Sequence, residues 1–267
     1  MRRLSEIAPG VLVATSELFV TTTTVVTDST GHCLVIDPAV TLPEVTGLAA
    51  ELAAAGLRPR AGFATHPHWD HVLWCRELGD VPRYAAPRAV AAAVAGRDAM
   101  ISGVLQGAPG HDLGLFGRLT ALDPGGAVIP WDGPAARVIT HDAHAPGHSA
   151  VFLPGTGTLV AGDMLSDIEI PLLDLAGHDP VGDYRTGLER LAALPGVQHL
   201  VPGHGTVGDA AEFRRRIAAD VVYLDRLARG EGTGDPRLAL EWLRREHEQH
   251  VAHVRAGRRT RAGRHAR

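Results

Sequence analysis

Short apolar runs and helical stripes divide the chain into strands and helices before any chemistry is considered. Positions 11–14, 19–27 and 32–37 are β-branched and apolar with alternating threonines. Asp28 to Gly31 supplies turn residues between the last two runs, which predicts a hairpin. Positions 42–55 carry Ala and Leu at helical spacing and stop at Gly56. A short strand at 60–64 and a helix at 70–78 follow, the helix ended by Gly79; then come a strand at 83–85 and a helix at 87–95 with Pro87 at its first position. Positions 97–126 hold seven Gly and two Pro among apolar residues such as Met100, Leu105, Leu115 and Phe116, and are expected to form an irregular excursion over a site. Strands are predicted at 135–141, 150–153, 158–161 and 199–201, and helices at 181–194, 209–229 and 235–254. The final segment, 255–267, has six Arg and little to bury, so it is expected to be unstructured.

Strands followed by helices occur in both halves, with no repeat of 20–50 residues. Periodicity alone supports mixed α and β; the order of elements fits two mixed sheets packed together with helices outside. With 45% hydrophobic and 21% charged residues and a mean hydropathy of +0.02, the composition is that of a folded globular protein. Residues 1–254 are read as one domain, long enough to bury a core without staples. The net charge of −4 argues against a nucleic-acid partner held by a basic surface. All 26 basic residues are Arg, so no Lys base or Schiff base is available. Two cysteines, Cys33 and Cys75, cannot build a disulfide framework and suit a reducing compartment. No apolar stretch follows Arg2 and Arg3, and no run approaches membrane-spanning length; the expectation is a cytoplasmic protein without a membrane partner, compatible with a homo-oligomer.

The segment Thr65-His66-Pro67-His68-Trp69-Asp70-His71 concentrates three His and one Asp directly after a predicted strand. From the composition, chance would produce H-x-H-x-D-H in this chain with a probability of roughly 0.3%, so the motif is specific. In an extended loop, His66 and His68 point the same way and can grip one ion. Asp70 and His71 are expected in the first turn of the following helix, aimed at a second point, with Asp70 stabilised as an anion at the helix N-terminus. Imidazole and carboxylate suit a zinc ion. Further donors lie near predicted strand ends, in His144-Ala145-Pro146-Gly147-His148-Ser149, in Gly162-Asp163 and in Pro202-Gly203-His204-Gly205.

The ordered set H-x-H-x-D-H, P-G-H-S, G-D and P-G-H-G, spanning residues 66 to 204 with Val35-Ile36-Asp37-Pro38 before it, resembles the metallo-β-lactamase superfamily. The resemblance implies an α+β fold, a four-layer αββα sandwich of two mixed β-sheets with outer helices. It also implies two zinc ions per chain, with iron or manganese as alternatives. His66, His68 and His148 would hold the first ion, Asp70, His71 and His204 the second, and Asp163 would bridge them. A hydroxide held by the ions would then attack an acyl carbon of a small-molecule substrate, with Asp70 as the catalytic proton carrier.

Around this set, Asp37 is expected to hold a loop beneath the site, and Thr65 and Ser149 to support the ligands. His141 and His144 are read as exposed or supporting. His247, His250 and His253 are read as a solvated helix face, and Trp69, Trp74, Phe116 and Met164 as core. Within the superfamily, an ester, thioester or lactone is the expected substrate; a β-lactam or a phosphodiester on the same site, and a mononuclear iron dioxygenase acting on persulfides, are the alternatives. A binding module is disfavoured because no ligand position is degenerate.

Overall fold

A computed structural model describes residues 3–231 and 234–265, with side chains to Arg258. The first half forms a seven-stranded sheet from β1 (Ser5–Ala8), β2 (Val11–Thr15), β3 (Thr22–Thr27), β4 (His32–Ile36), β5 (Arg58–Phe63), β6 (Arg83–Ala85) and β7 (Thr120–Ala121), arranged in chain order. The first four strands pair antiparallel and the later ones parallel. The β3–β4 turn is the expected one: Asp28 Oδ1 accepts from the Thr30 and His32 amides, both at 2.8 Å. The second half forms a five-stranded sheet ordered β12 (Gly208–Asp209), β11 (His199–Pro202), β10 (Thr158–Gly162), β9 (Ser149–Leu153) and β8 (Arg137–Thr140).

Alternation along the strands makes the layers. Val26, Leu34 and Ile36 of the first sheet face Val138, Val151, Leu153, Val160 and Val201 of the second. The opposite faces are covered by helices. Val25, Cys33 and Val35 pack beneath α1 (Leu42–Ala54), whose Glu44 closes a capping box with Thr41. Phe152, Leu159 and Ala161 pack beneath α4 (Pro180–Ala192), α5 (Ala210–Arg229) and α6 (Glu241–His265). The architecture is therefore the αββα sandwich of two mixed sheets. Cys33 and Cys75 are buried free thiols. Among the described residues, no helix is long and apolar enough to cross a membrane.

Four differences from the sequence expectations have physical causes. The helix expected at 70–78 is absent; the chain passes through turns to one 3-10 turn at Arg76–Leu78. Val72 and Leu73 bury in one cluster and Trp74 and Cys75 in another, so four consecutive side chains are inside, which a helix with one buried face cannot achieve. Asp70 accordingly has no helix N-terminus beneath it. The strand expected from position 19 begins at Thr22, because Phe19 and Val20 adopt positive φ. The excursion at 97–126 contains α3 (Arg97–Gly107), next after α2 (Pro87–Ala95). Two of the glycines that disguised α3 are where Trp69 lies: a Cβ at Gly103 or Gly107 would stand 2.9 Å from the indole. Finally, the segment expected to be unstructured at 255–267 continues α6 as far as His265, since Arg and Ala favour a helix, and positions 266–267 lie outside the described residues.

Candidate metal centre

Strand ends of both sheets deliver the chemistry. His66, His68, Asp70 and His71 follow β5; His144 and His148 lie between β8 and β9; Asp163 follows β10; His204 follows β11. An isolated bridge between Thr21 and His204 ties the two sheets at this end.

Two groups of donors converge. Nitrogens of His66, His68 and His144 gather with an Asp163 oxygen, and Asp70, His71 and His204 form the second group. In the first, His68 Nδ1 is 3.1 Å from His66 Nε2 and 3.0 Å from His144 Nε2. In the second, the Nε2 atoms of His71 and His204 are 3.3 Å apart, and Asp70 Oδ2 lies 3.5 Å from His204 Nε2 and 3.6 Å from His71 Nε2. Asp163 stands between them: Oδ2 is 3.3 Å from His66, 3.4 Å from His144 and 3.2 Å from His204, and Oδ1 is 3.2 Å from His71. Asp163 Oδ1 is buried and accepts no hydrogen bond in the described residues.

The outward nitrogens explain the inward ones. His71 Nδ1 is 3.0 Å from Asp37 Oδ2, His144 Nδ1 is 2.8 Å from the Leu172 carbonyl, and His204 Nδ1 is 3.0 Å from the Phe19 carbonyl. Each carbonyl or carboxylate accepts the Nδ1 hydrogen, so that the neutral ring turns its Nε2 lone pair toward the centre, the arrangement that orients metal-binding imidazoles. Asp37 also accepts from the Thr65 amide at 2.8 Å and hydroxyl at 2.6 Å, fixing the start of the donor loop. The positive φ at Phe19 and Val20 now has a use: it presents the Phe19 carbonyl to His204 and the Val20 carbonyl to the Gly205 amide. Gly203 is required by Asp163, since a Cβ there would lie 1.9 Å from Oδ1.

His148 does not join either group. Its Nε2 accepts the Asp163 amide hydrogen at 3.0 Å, and its ring stacks on His141 at 4.8 Å. This corrects the ligand expected from P-G-H-S: His144, read as exposed or supporting, is 6% exposed and occupies the inward position, while His148 pins the backbone of Asp163. The signal available in the sequence was the equal claim of His141, His144 and His148 to one loop; only the partner of each second nitrogen separates them. Ser149 bonds Thr140 and the Gly147 carbonyl instead of a donor of the centre. His250, expected on a solvated face, is 1% exposed.

Charge in the centre is balanced across the groups. Burial works against a protonated His71, yet Asp163, Asp70 and Asp37 raise its pKa to about 9. Burial likewise opposes the charge on His204, and Asp163 still lifts it well above the ordinary value. His66 goes the other way, pushed well down by burial and by neighbouring His71. Above the centre opens a cavity of about 300 Å³ walled by Phe19, Leu172, Trp242 and Glu169. Glu169, which sequence reasoning missed, has its pKa raised to about 7 by burial, with Asp163 and Asp70 adding to the effect against His204. No motif marks it; it reaches the cavity only because the 165–175 segment folds over the sheet end.

An αββα sandwich with two His/Asp groups that could hold metal at the shared strand ends defines the class of protein. The model of the metallo-beta-lactamase superfamily matches residues 17–224, and the chain belongs to that superfamily. A hydroxyacylglutathione hydrolase from Thermosynechococcus vestitus is 31% identical over 137 residues, a match that spans 51% of this chain and 45% of that protein. Among solved structures, a metallo-beta-lactamase family protein from Thermus thermophilus superposes with a TM-score of 0.64 at 22% identity, covering 84% of this chain and 83% of its own. TTHA1623, solved in a di-iron-bound form, gives 0.58 at 27% identity over 76% of this chain and 97% of its own.

Proposed function

We propose that the chain hydrolyses a small acyl compound, an ester, thioester or lactone, with thioesters foremost, at a dinuclear metal centre. The observation that carries this reading is the placement of Asp163 within 3.2–3.4 Å of donors from both groups, with its Oδ1 otherwise unsatisfied. Three imidazoles facing one another at 3.0–3.1 Å cannot all donate hydrogen bonds; their facing lone pairs fit a shared cation. His66, His68 and His144 would hold one ion, Asp70, His71 and His204 the other, and Asp163 both. Divalent ions in these positions supply Lewis acidity toward a carbonyl and lower the pKa of water.

The protein's own groups do the rest. Asp37, Leu172 and Phe19 hold the imidazoles in one tautomer, so the donor set is assembled before substrate arrives. Asp70 is buried and borders the cavity, where its carboxylate can take the proton that a nucleophilic water loses and return it to the leaving group. Phe19 and Trp242 wall the cavity and exclude water from it. The preference for thioesters is supported by the likeness to the hydroxyacylglutathione hydrolase. Zinc is the metal the His-rich set suits, and the di-iron form of TTHA1623 supports iron as the competing occupant.

Elemental analysis followed by a panel of aryl ester, acyl thioester, lactone, β-lactam and phosphodiester substrates tests the reading. About two metal ions per chain and turnover of carbonyl substrates are expected. Turnover of phosphodiesters alone would replace the acyl reading with phosphoryl transfer.

A further inference from the structure

The cavity over the centre carries a recognition element that the hydrolytic chemistry does not use. Glu169 is 9% exposed and lines the cavity, yet in the described residues its carboxyl accepts no hydrogen bond. Its main chain is anchored elsewhere: the amide donates to Ser166 Oγ at 3.0 Å and the carbonyl accepts from Arg237 Nη1 at 3.0 Å. Arg237 cannot neutralise the carboxyl, because its guanidinium is paired with Asp220 at 2.7 Å and Asp235 at 2.8 Å. Two aromatic side chains complete the wall, Phe19 at 47% and Trp242 at 43% exposure. No arginine borders the cavity among the described residues, and the chain has no lysine to offer.

A buried carboxyl that shares one cavity with two half-exposed aromatic rings is complementary to an organic cation: the carboxylate offers charge and the rings offer cation–π attraction. The imidazoles that border the cavity, His68, His144 and His204, belong to the donor groups, so a substrate whose remote end is a carboxylate would meet the Glu169 charge on that wall. We propose that Glu169, with Phe19 and Trp242, forms an ammonium-recognition subsite, and that the substrate is an apolar acyl compound bearing a cationic amine on the part seated there. This rests on the acyl-hydrolase reading above and names the substrate class within it. In the reaction, water adds to the acyl carbon, the C–S or C–O bond breaks, and the leaving thiol or alcohol departs with a proton.

The test has a binding arm and a kinetic arm, both on the full-length, metal-loaded protein. Phenyltrimethylammonium has no bond to hydrolyse and is titrated by quenching of tryptophan fluorescence. Saturable binding is expected, weakened about tenfold or more in Glu169→Gln and also weakened in Trp242→Leu. For the kinetic arm, phenylacetyl thioesters of thiocholine, N-acetylcysteamine and 3-mercaptopropionate are compared at about pH 8. The thiocholine ester is expected to exceed the mercaptopropionate ester in kcat/KM by about tenfold or more, with the ratio collapsing toward unity in Glu169→Gln. No cation binding by the wild type, an undiminished ratio in Glu169→Gln, or loss of metal content in that variant would overturn the subsite. Cation binding as expected with none of the thioesters or esters turned over would support the subsite and sink the acyl-hydrolase reading instead.

Discussion

The donor loop after β5 and the loop between β8 and β9 face each other across the centre, and they are decipherable to very different degrees. In the first, spacing decides everything: His66, His68, Asp70 and His71 all reach the site. In the second, three histidines compete within eight residues, and the P-G-H context points to His148, which stands outside both donor groups. What separates His144 from His148 is the partner of the other ring nitrogen. The Leu172 carbonyl accepts from His144 Nδ1 and leaves Nε2 aimed at His68 and Asp163, whereas the Asp163 amide donates to Nε2 of His148. A ligand is thus selected by its second hydrogen bond as much as by its position.

Exchanging the two histidines' roles is the largest way to break that contrast. His144→Ala is expected to lose about one metal ion per chain and to lower kcat/KM by about a thousandfold, the scale of losing an electrophilic group in the transition state. His148→Ala should keep both ions bound, though more weakly by about 10–100-fold, because it only supports the Asp163 backbone. Metal content of dialysed protein together with kinetics reads both. Full metal retention in His144→Ala with loss in His148→Ala would reverse the assignment.

Asp37 sharpens the same comparison from the first loop. It holds His71 Nδ1 and the Thr65 amide and hydroxyl at once. Asp37→Asn retains the shape and removes the charge, and should weaken metal binding by about 10–100-fold, read by competition with a chromophoric chelator. Unchanged affinity would mean that the loop is rigid enough to orient His71 unaided. A smaller effect is expected beneath that loop, at the glycines of α3. Gly107→Ala would press a methyl group against Trp69 and cost about 1–3 kcal/mol in chemical denaturation, with metal content unchanged.

These effects also mark where the sequence was legible. The mixed α and β elements follow from period-two runs and helical stripes, which are local properties, and the sandwich from the resemblance that the ordered motifs carry; of the seven expected donors, His66, His68, Asp70, His71, Asp163 and His204 stand in the two converging groups. The misread parts were decided at a distance. Residues 72–75 look helical until their burial on two sides is known, and α3 looks irregular until Trp69 is seen to need its glycines. Phe19 and Val20 belong to a strand by propensity, but the demands of His204 and Gly205 turn them out of it. Glu169 carries no pattern, because an isolated carboxylate gains its meaning only from the cavity into which a tertiary fold delivers it.

The mildest expected effect concerns the back of the second loop, and it links α6 to the centre. His250 Nε2 accepts from the Leu173 amide at 3.3 Å, and its Nδ1 is 2.9 Å from the Tyr223 hydroxyl, so α6 holds the residue next to the one that orients His144. Burial, with His247 and His253 nearby, pushes the His250 pKa down to about 4. The unfolded chain therefore binds this proton first as pH falls. The stabilisation is complete above the unfolded value near 6.5, declines as pH drops through the window, and is gone below about 4, at no more than about 1.4 kcal/mol per pH unit. His250→Gln keeps an acceptor for the Leu173 amide without the titration, so its unfolding free energy, measured in urea between about pH 6.5 and 4.5, should fall less steeply than the wild type's. Parallel slopes would show that the buried imidazole is not what acid attacks, and would leave the tie between α6 and His144 as packing alone.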